Sequence, residues 1–172
     1  MITYSQPDLR DVAADVVALF AEVFAEPPYH ETDDDAAAFA RVLERHARQP
    51  GFRLVTAQEA DRLIGFAYGC TRPAGWWWRD CDSDPPADIR DAEKFVVYEW
   101  AVSKPHRGTG VGRKLFEQLL DQRPEWTTLT VNRDADAYGI YLRHGWVEID
   151  TCHFSGKPPM AVMAKRPDHV LR

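Results

Sequence analysis

Glu99 is the only side chain charged at neutral pH in residues 95–102, a run otherwise apolar and rich in β-branched and aromatic types. That composition predicts a buried strand. A carboxyl group in such a strand is costly to bury unless it is paired or used, and burial raises its pKa toward the working range of a general base. Two roles stand for Glu99: proton acceptor in a reaction, or partner of an arginine on a partly solvated face. Just after the run, a turn carries Pro105, Gly108, Gly110 and Gly112, and Val111, Leu115, Leu119 and Leu120 follow at helical spacing. A strand passing through a glycine-rich turn into a helix suits a phosphate-bearing ligand. Glycine lets backbone N–H groups come close, and the helix N-terminus carries partial positive charge. Arg107 and Arg113 place full charges beside that cradle, although Arg113 reads equally well as a solvated helix residue.

The turn does not read G-x-x-x-x-G-K-(S/T), which sets a nucleotide P-loop aside. Its glycines are spaced G-x-G-x-G, and no acidic residue ends a second strand at the distance a dinucleotide fold requires. Arg107-Gly108-Thr109-Gly110-Val111-Gly112 instead resembles the signature (Q/R)-x-x-G-x-(G/A) of the GNAT superfamily of N-acetyltransferases. A second stretch, from Ala137 through Ile140 and Tyr141 to Gly145 and Trp146, resembles that family's pattern A-x-x-(L/I/F)-Y-x-x-x-G-(F/W). The two matches come in the family's order and at its distance, with an apolar strand before the first and a helix after it.

The resemblance implies an α/β GNAT fold: a mixed, mostly antiparallel twisted sheet flanked by helices, with acyl-CoA bound at a splayed central strand. It implies acetyl-CoA as acyl donor, with the main chain of Ala101 and Val102 pairing with the pantetheine arm. The pyrophosphate would lie over Gly108, Thr109, Gly110, Val111 and Gly112, with Arg107 and Arg113 as charged partners. The family often has Asn three residues before the alanine of its second pattern. Here Asp134 stands there and Asn132 stands five before, so either the turn is one residue shorter than usual or Asn132 is the substitute that makes the cofactor contact. Tyr141 matches the family's tyrosine, whose phenol can return a proton to the departing thiolate. Tyr138, one turn earlier, is expected to pack.

The function implied is direct transfer of an acetyl group to a primary amine of a small molecule, with Glu99 as base and Tyr141 as acid. Acetylation of a peptide N-terminus or lysine is the nearest alternative. A longer donor such as succinyl-CoA is another, and a non-catalytic acyl-CoA-binding module is the alternative outside enzymes.

The elements that must position these groups follow from periodicity. A short strand near Ile2 leads to a helix whose Leu9, Val12, Val16, Leu19, Phe20, Val23 and Phe24 step by three and four, ending before Pro27-Pro28. Asp33-Asp34-Asp35 precedes a second helix from Ala37 to about His46, either as caps or as an attractor of a cationic substrate. Residues 52–57 and 63–70 read as a hairpin, and Gly65 and Gly69 suggest a bulge or a close backbone approach in its second strand. Residues 71–92 have no periodicity and hold Trp76-Trp77-Trp78, either a lid over the acceptor or a core cap or homodimer contact. Residues 126–131 read as a strand, 135–143 as a helix, 146–149 as the start of another strand, and 160–165 as a last short strand.

At 172 residues, with 45% hydrophobic and 28% charged side chains, the chain fits one soluble domain, residues 1–172. A net charge of −6 argues against general nucleic-acid binding and weakly favours a cationic substrate. No apolar run is long enough to span a membrane, and the first residues lack a secretory pattern. Cys70, Cys81 and Cys152 are odd in number and far apart, which predicts free thiols and a cytoplasmic setting. The six histidines show no metal-ligand spacing, so no metal is expected.

Overall fold

The computed structural model describes residues 1–166. Seven strands, β1 (Ile2–Ser5), β2 (Arg53–Glu59), β3 (Arg62–Arg72), β4 (Lys94–Val102), β5 (Trp126–Asn132), β6 (Val147–Cys152) and β7 (Met160–Lys165), form a sheet of order β1-β2-β3-β4-β5-β7-β6. The helices are α1 (Leu9–Phe24), α2 (Asp33–Ala47), α3 (Ala87–Arg90), α4 (Val111–Leu120) and α5 (Asp136–Arg143). This is the mixed, mostly antiparallel α/β architecture the sequence predicts. The chain divides into two compact units: Met1–Cys70 with Val97–Gln122, and Thr71–Val96 with the chain from Arg123 onward.

In the first unit, α1 buries the face that its periodicity marks: Val12, Val16, Leu19, Phe20, Val23 and Phe24. Phe20 stacks on Phe39 of α2 at 4.0 Å between ring centroids, which joins the two helices in one apolar cluster with Leu54, Phe66 and Tyr68. The helix α2 begins at Asp33, four residues before the predicted start. Thr32 is its N-cap, accepting from Asp35 N while the Asp35 carboxylate accepts from Thr32 N. The acidic run is therefore the first turn of the helix, where negative charge meets the positive end of the dipole. β1 and β3 flank β2 antiparallel, and the β2–β3 register slips between Ala57, opposite Gly65, and Gln58, opposite Leu63. That is the bulge Gly65 suggested. The close approach is present too, since a Cβ on Gly65 would stand 2.8 Å from Leu115 Cδ1 and 3.1 Å from Ala101 O.

In the second unit, the start of β4 pairs parallel with β5 over Lys94–Val96, and β7 lies antiparallel between β5 and β6. The tryptophan segment is fastened here, and its tryptophans are half-buried. Lys94, fully buried, donates from Nζ to the carbonyls of Trp76 (3.0 Å), Arg90 (3.3 Å) and Pro73 (3.4 Å). Burial pushes its ammonium pKa below the usual lysine range, with Asp91 working the other way. Trp78 Nε1 donates to Thr128 Oγ1 at 3.3 Å, and Trp76 meets Trp78 edge-on at 5.2 Å.

One expectation fails in this unit. Cys81 and Cys152 form a disulfide, and Cys70, which is buried, is the cysteine outside it. An isolated antiparallel bridge places the two cysteines opposite each other, flanked by Asp82 N→Thr151 O (2.9 Å) and His153 N→Asp80 O (2.8 Å). Their separation of 71 residues hides this juxtaposition from any reading of spacing. The thiol argument for a cytoplasmic setting falls with it. Among the described residues no helix is long and apolar enough to cross a membrane.

Candidate active site

β4 ends at Val102, and a 3-10 turn over Lys104–His106 leads to the glycine loop and α4. Ser103 N donates to Ile64 O at 2.9 Å, tying the strand's end to β3. Ser103 Oγ and His106 Nδ1 are hydrogen bonded at 2.8 Å, His106 Nε2 lies 3.1 Å from Glu59 Oε2, and Thr109 Oγ1 donates to His106 O at 2.7 Å. The polar side chains of the loop thus brace its own backbone. Gly108 (φ 76°) and Gly110 (φ 91°) occupy the left-handed region, and a Cβ at either would meet no atom within 4 Å. The space before them is open, and Gly110 is the N-cap of α4, whose first-turn N–H groups have no intrahelical acceptor.

Gly112 is glycine for another reason. A Cβ there would stand 2.9 Å from Trp100 Cζ2, and Trp100 Nε1 donates to Gly112 O at 3.1 Å. Trp100 on β4 therefore sets the position of α4's first turn. In the sequence Trp100 reads only as a strand residue.

Of the predicted charged partners, Arg107 donates from Nε to Val102 O at 3.0 Å and makes a two-pronged pair with Glu26. Arg113 is solvent-exposed and lies 3.5 Å from Glu117, one turn on. Ala101 is buried, and Val102 is half-buried with its carbonyl engaged by Arg107. Glu99 is half-buried on β4. Burial holds the Tyr68 hydroxyl well above the usual tyrosine range, and the Glu99 charge pushes it further. Tyr68 and His46 Nδ1 are hydrogen bonded at 3.2 Å, and His46 stacks on Tyr98 at 3.8 Å. The first unit thus brings Glu99, Ala101, Val102 and the residues from Arg107 to Arg113 onto one strand–loop–helix segment.

Asn132 and Tyr141 belong to the second unit. Asn132 is buried, and its Oδ1 accepts from Asp134 N at 2.9 Å, closing the turn into α5. Tyr141 is buried on α5 with its ring 5.4 Å from Trp146, and its carbonyl accepts from Trp146 N at 3.1 Å. Tyr138 does more than pack. Its hydroxyl donates to Glu148 Oε2 at 2.6 Å, while Arg133 Nη2 donates to Glu148 Oε1 (2.5 Å) and Thr151 Oγ1 (2.8 Å). The Arg133 hydrogen bond holds Glu148 below its ordinary pKa of 4.5, with Tyr138 adding and burial opposing. A carboxylate depressed in the fold adds stability that is complete above about 4.5 and lost as pH falls through the folded value. Acid unfolding of Glu148→Gln should accordingly show a shallower loss of stability below that pH than the native chain does.

Residues 14–146 match the acetyltransferase (GNAT) family. The chain belongs to this family. Similar solved structures include a Corynebacterium glutamicum protein named as histone acetyltransferase HPA2 and related acetyltransferase, 20% identical, with a TM-score of 0.71 over 99% of each chain. The Thermoplasma acidophilum PaiA N-acetyltransferase in complex with coenzyme A is 12% identical, with a TM-score of 0.66 over 96% of this chain and 99% of that one. Arabidopsis thaliana Naa50, bound to the bisubstrate analogue CoA-Ac-MVNAL, is 17% identical, with a TM-score of 0.61 over 95% and 97%. At these identities the likeness is one of fold. No curated protein matches the chain in sequence.

GNAT enzymes use acetyl-CoA, and the glycine loop has the features of an anion site. Two left-handed glycines leave the approach open, a helix N-terminus supplies donors, and an arginine follows the strand. Glu26, His46, Tyr68 and Trp100 surround this segment without being marked in the sequence. Each acts through a partner far away in the chain or on another element, and local spacing carries no trace of such pairs.

Proposed function

We propose that the chain is an N-acetyltransferase that acetylates a primary amine of a small molecule. The observation that carries this reading is the open glycine loop at the N-terminus of α4, joined through one short turn to the strand that holds Glu99. Acetyl-CoA supplies a thioester carbonyl as the electrophile. Gly108 to Gly112 and Arg107 hold its pyrophosphate in this reading, and the main chain at Ala101 and Val102 takes the pantetheine arm. An alkyl amine with pKa near 10 arrives as ammonium at neutral pH, so a base is needed before nitrogen can attack. Glu99 takes that proton. The nitrogen then bonds to the thioester carbonyl carbon, and the C–S bond breaks. The Tyr141 hydroxyl, on a ring held against Trp146, gives its proton to the departing sulfur, and the second proton lost by nitrogen restores the phenol. The whole chain serves as one catalytic domain, placed in the cytoplasm by its need for acetyl-CoA.

Titration calorimetry with acetyl-CoA on the native chain and on Gly110→Trp tests the reading. The native chain should bind at a micromolar level, about −8 kcal/mol, and the variant should not bind. A side chain at φ 91° adds backbone strain of roughly 1–2 kcal/mol, so the thermal midpoint must be shown to survive. A native chain that binds no acetyl-CoA ends the transferase reading. Where binding holds, a panel of small amines and peptides decides the acceptor, and acetylation of peptides alone would overturn the small-molecule assignment.

A further inference from the structure

Glu26 follows Ala25, the C-cap of α1, and two cations near the glycine loop converge on its carboxylate. Arg107 Nη1 donates to Oε2 at 3.0 Å and Nη2 to Oε1 at 3.1 Å, and Lys104 Nζ lies 3.7 Å from Oε2. The remaining edge of the guanidinium is in use as well, since Arg107 Nε donates to Val102 O at 3.0 Å. A carboxylate and a phosphate take the same pair of parallel N–H groups of an arginine. One fork cannot serve both at once. A phosphate at this loop that takes the Nη1–Nη2 fork of Arg107 must therefore displace Glu26.

We propose that Glu26 is a positioning residue that holds Arg107 as a stand-in anion in the unloaded protein and yields it to the pyrophosphate of the acyl donor, thereby setting donor affinity. The inference rests on the proposed reading of the glycine loop as the pyrophosphate site. Three features support it. The pair is partly exposed, with side-chain accessibilities of 42% for Arg107 and 27% for Glu26, so it is weak enough to exchange. Glu26 neutralises charge beside a site that must attract an anion, which lowers both affinity and capture rate. Its carboxylate is kept ionised by Arg107, whose hydrogen bond holds it below the usual glutamate range.

Calorimetry with coenzyme A on the native chain, Glu26→Gln, Arg107→Gln and the double variant tests this, alongside thermal unfolding of the same four proteins without ligand. Glu26→Gln should bind roughly three- to tenfold tighter. Arg107→Gln should bind more weakly, and adding Glu26→Gln to it should change affinity by less than about twofold. Unchanged or weaker binding by Glu26→Gln alone would overturn the proposal, because Glu26 would then merely orient Arg107. A shift that persists fully in the Arg107→Gln background would overturn it too. If the native chain binds no coenzyme A, the loop reading fails and takes the proposal with it, whereas non-additive unfolding midpoints would still report the ion pair.

Discussion

Glu99→Gln should lower kcat by roughly 10²- to 10⁴-fold, the usual cost of losing a positioned general base, while leaving coenzyme A affinity within about twofold. Glutamine keeps the shape and hydrogen-bonding length of the side chain and removes only its ability to hold a proton. In energy the loss is about 3–5 kcal/mol of transition-state stabilisation. Glu99 is half-buried on a strand whose preceding residues, Phe95, Val96 and Val97, are buried, so the substitution asks little of the packing. The acid limb of the kcat/KM profile should vanish in the variant, since the group that must be ionised is gone. Tyr141→Phe should show the complementary pattern, a loss in kcat with the alkaline limb altered, because the buried ring keeps its place against Trp146. A Glu99→Gln enzyme with native kcat and an intact acid limb would assign the base elsewhere and return Glu99 to the role of a structural carboxylate.

What the sequence made legible, and what it hid, divides along the range of the interactions. The helix α1 was readable because each buried position lies within four residues of the next, and the glycine loop because its chemistry is written in consecutive residues. The start of β6 is legible at 146–149, whereas its far end at Cys152 is set by pairing with β7, where Cys152 lies opposite Met160. The start of α2 is obscured because an acidic first turn has the composition of a cap, whereas Thr32 takes that part. The long-range pairs around the strand–loop–helix segment were out of reach altogether. Glu26 and Arg107 are 81 residues apart, and His46 and Tyr68 are 22 apart. Nothing about either residue type marks its partner. The same holds for Gly112, whose motif position suggests a ligand while its contact is Trp100. A signature can thus be right about where a loop lies and silent about why each residue is in it.

Loss of the Cys81–Cys152 disulfide should be the largest single effect on stability. Closing a loop between cysteines 71 residues apart restricts the unfolded chain, and the chain-entropy relation gives about 4 kcal/mol for that length. For a domain of this size that corresponds to a fall in thermal midpoint on the order of 10 °C. The double variant Cys81→Ser, Cys152→Ser should keep its native fold, because the bridge is not the only fastening of this segment. Asp82 N and His153 N still bond across it, Lys94 still binds three carbonyls, and Trp78 still reaches Thr128. The effect therefore belongs to the unfolded state, and urea titration should show a lower midpoint with near-ultraviolet dichroism unchanged before the transition. Thiol counting in denaturant without reductant gives the independent check. With the bridge formed, one thiol per chain reacts, that of Cys70; without it, three react. A count of three from freshly purified protein, together with a midpoint that the double substitution does not move, would show that these cysteines stand opposite each other without being joined. The tryptophan segment would then be held by non-covalent fastenings. Lys94 on its three carbonyls is the buried one, beside the exposed pairs of Asp82 with His153 and Asp88 with Arg166, and Lys94→Met would become the variant that loosens the segment most.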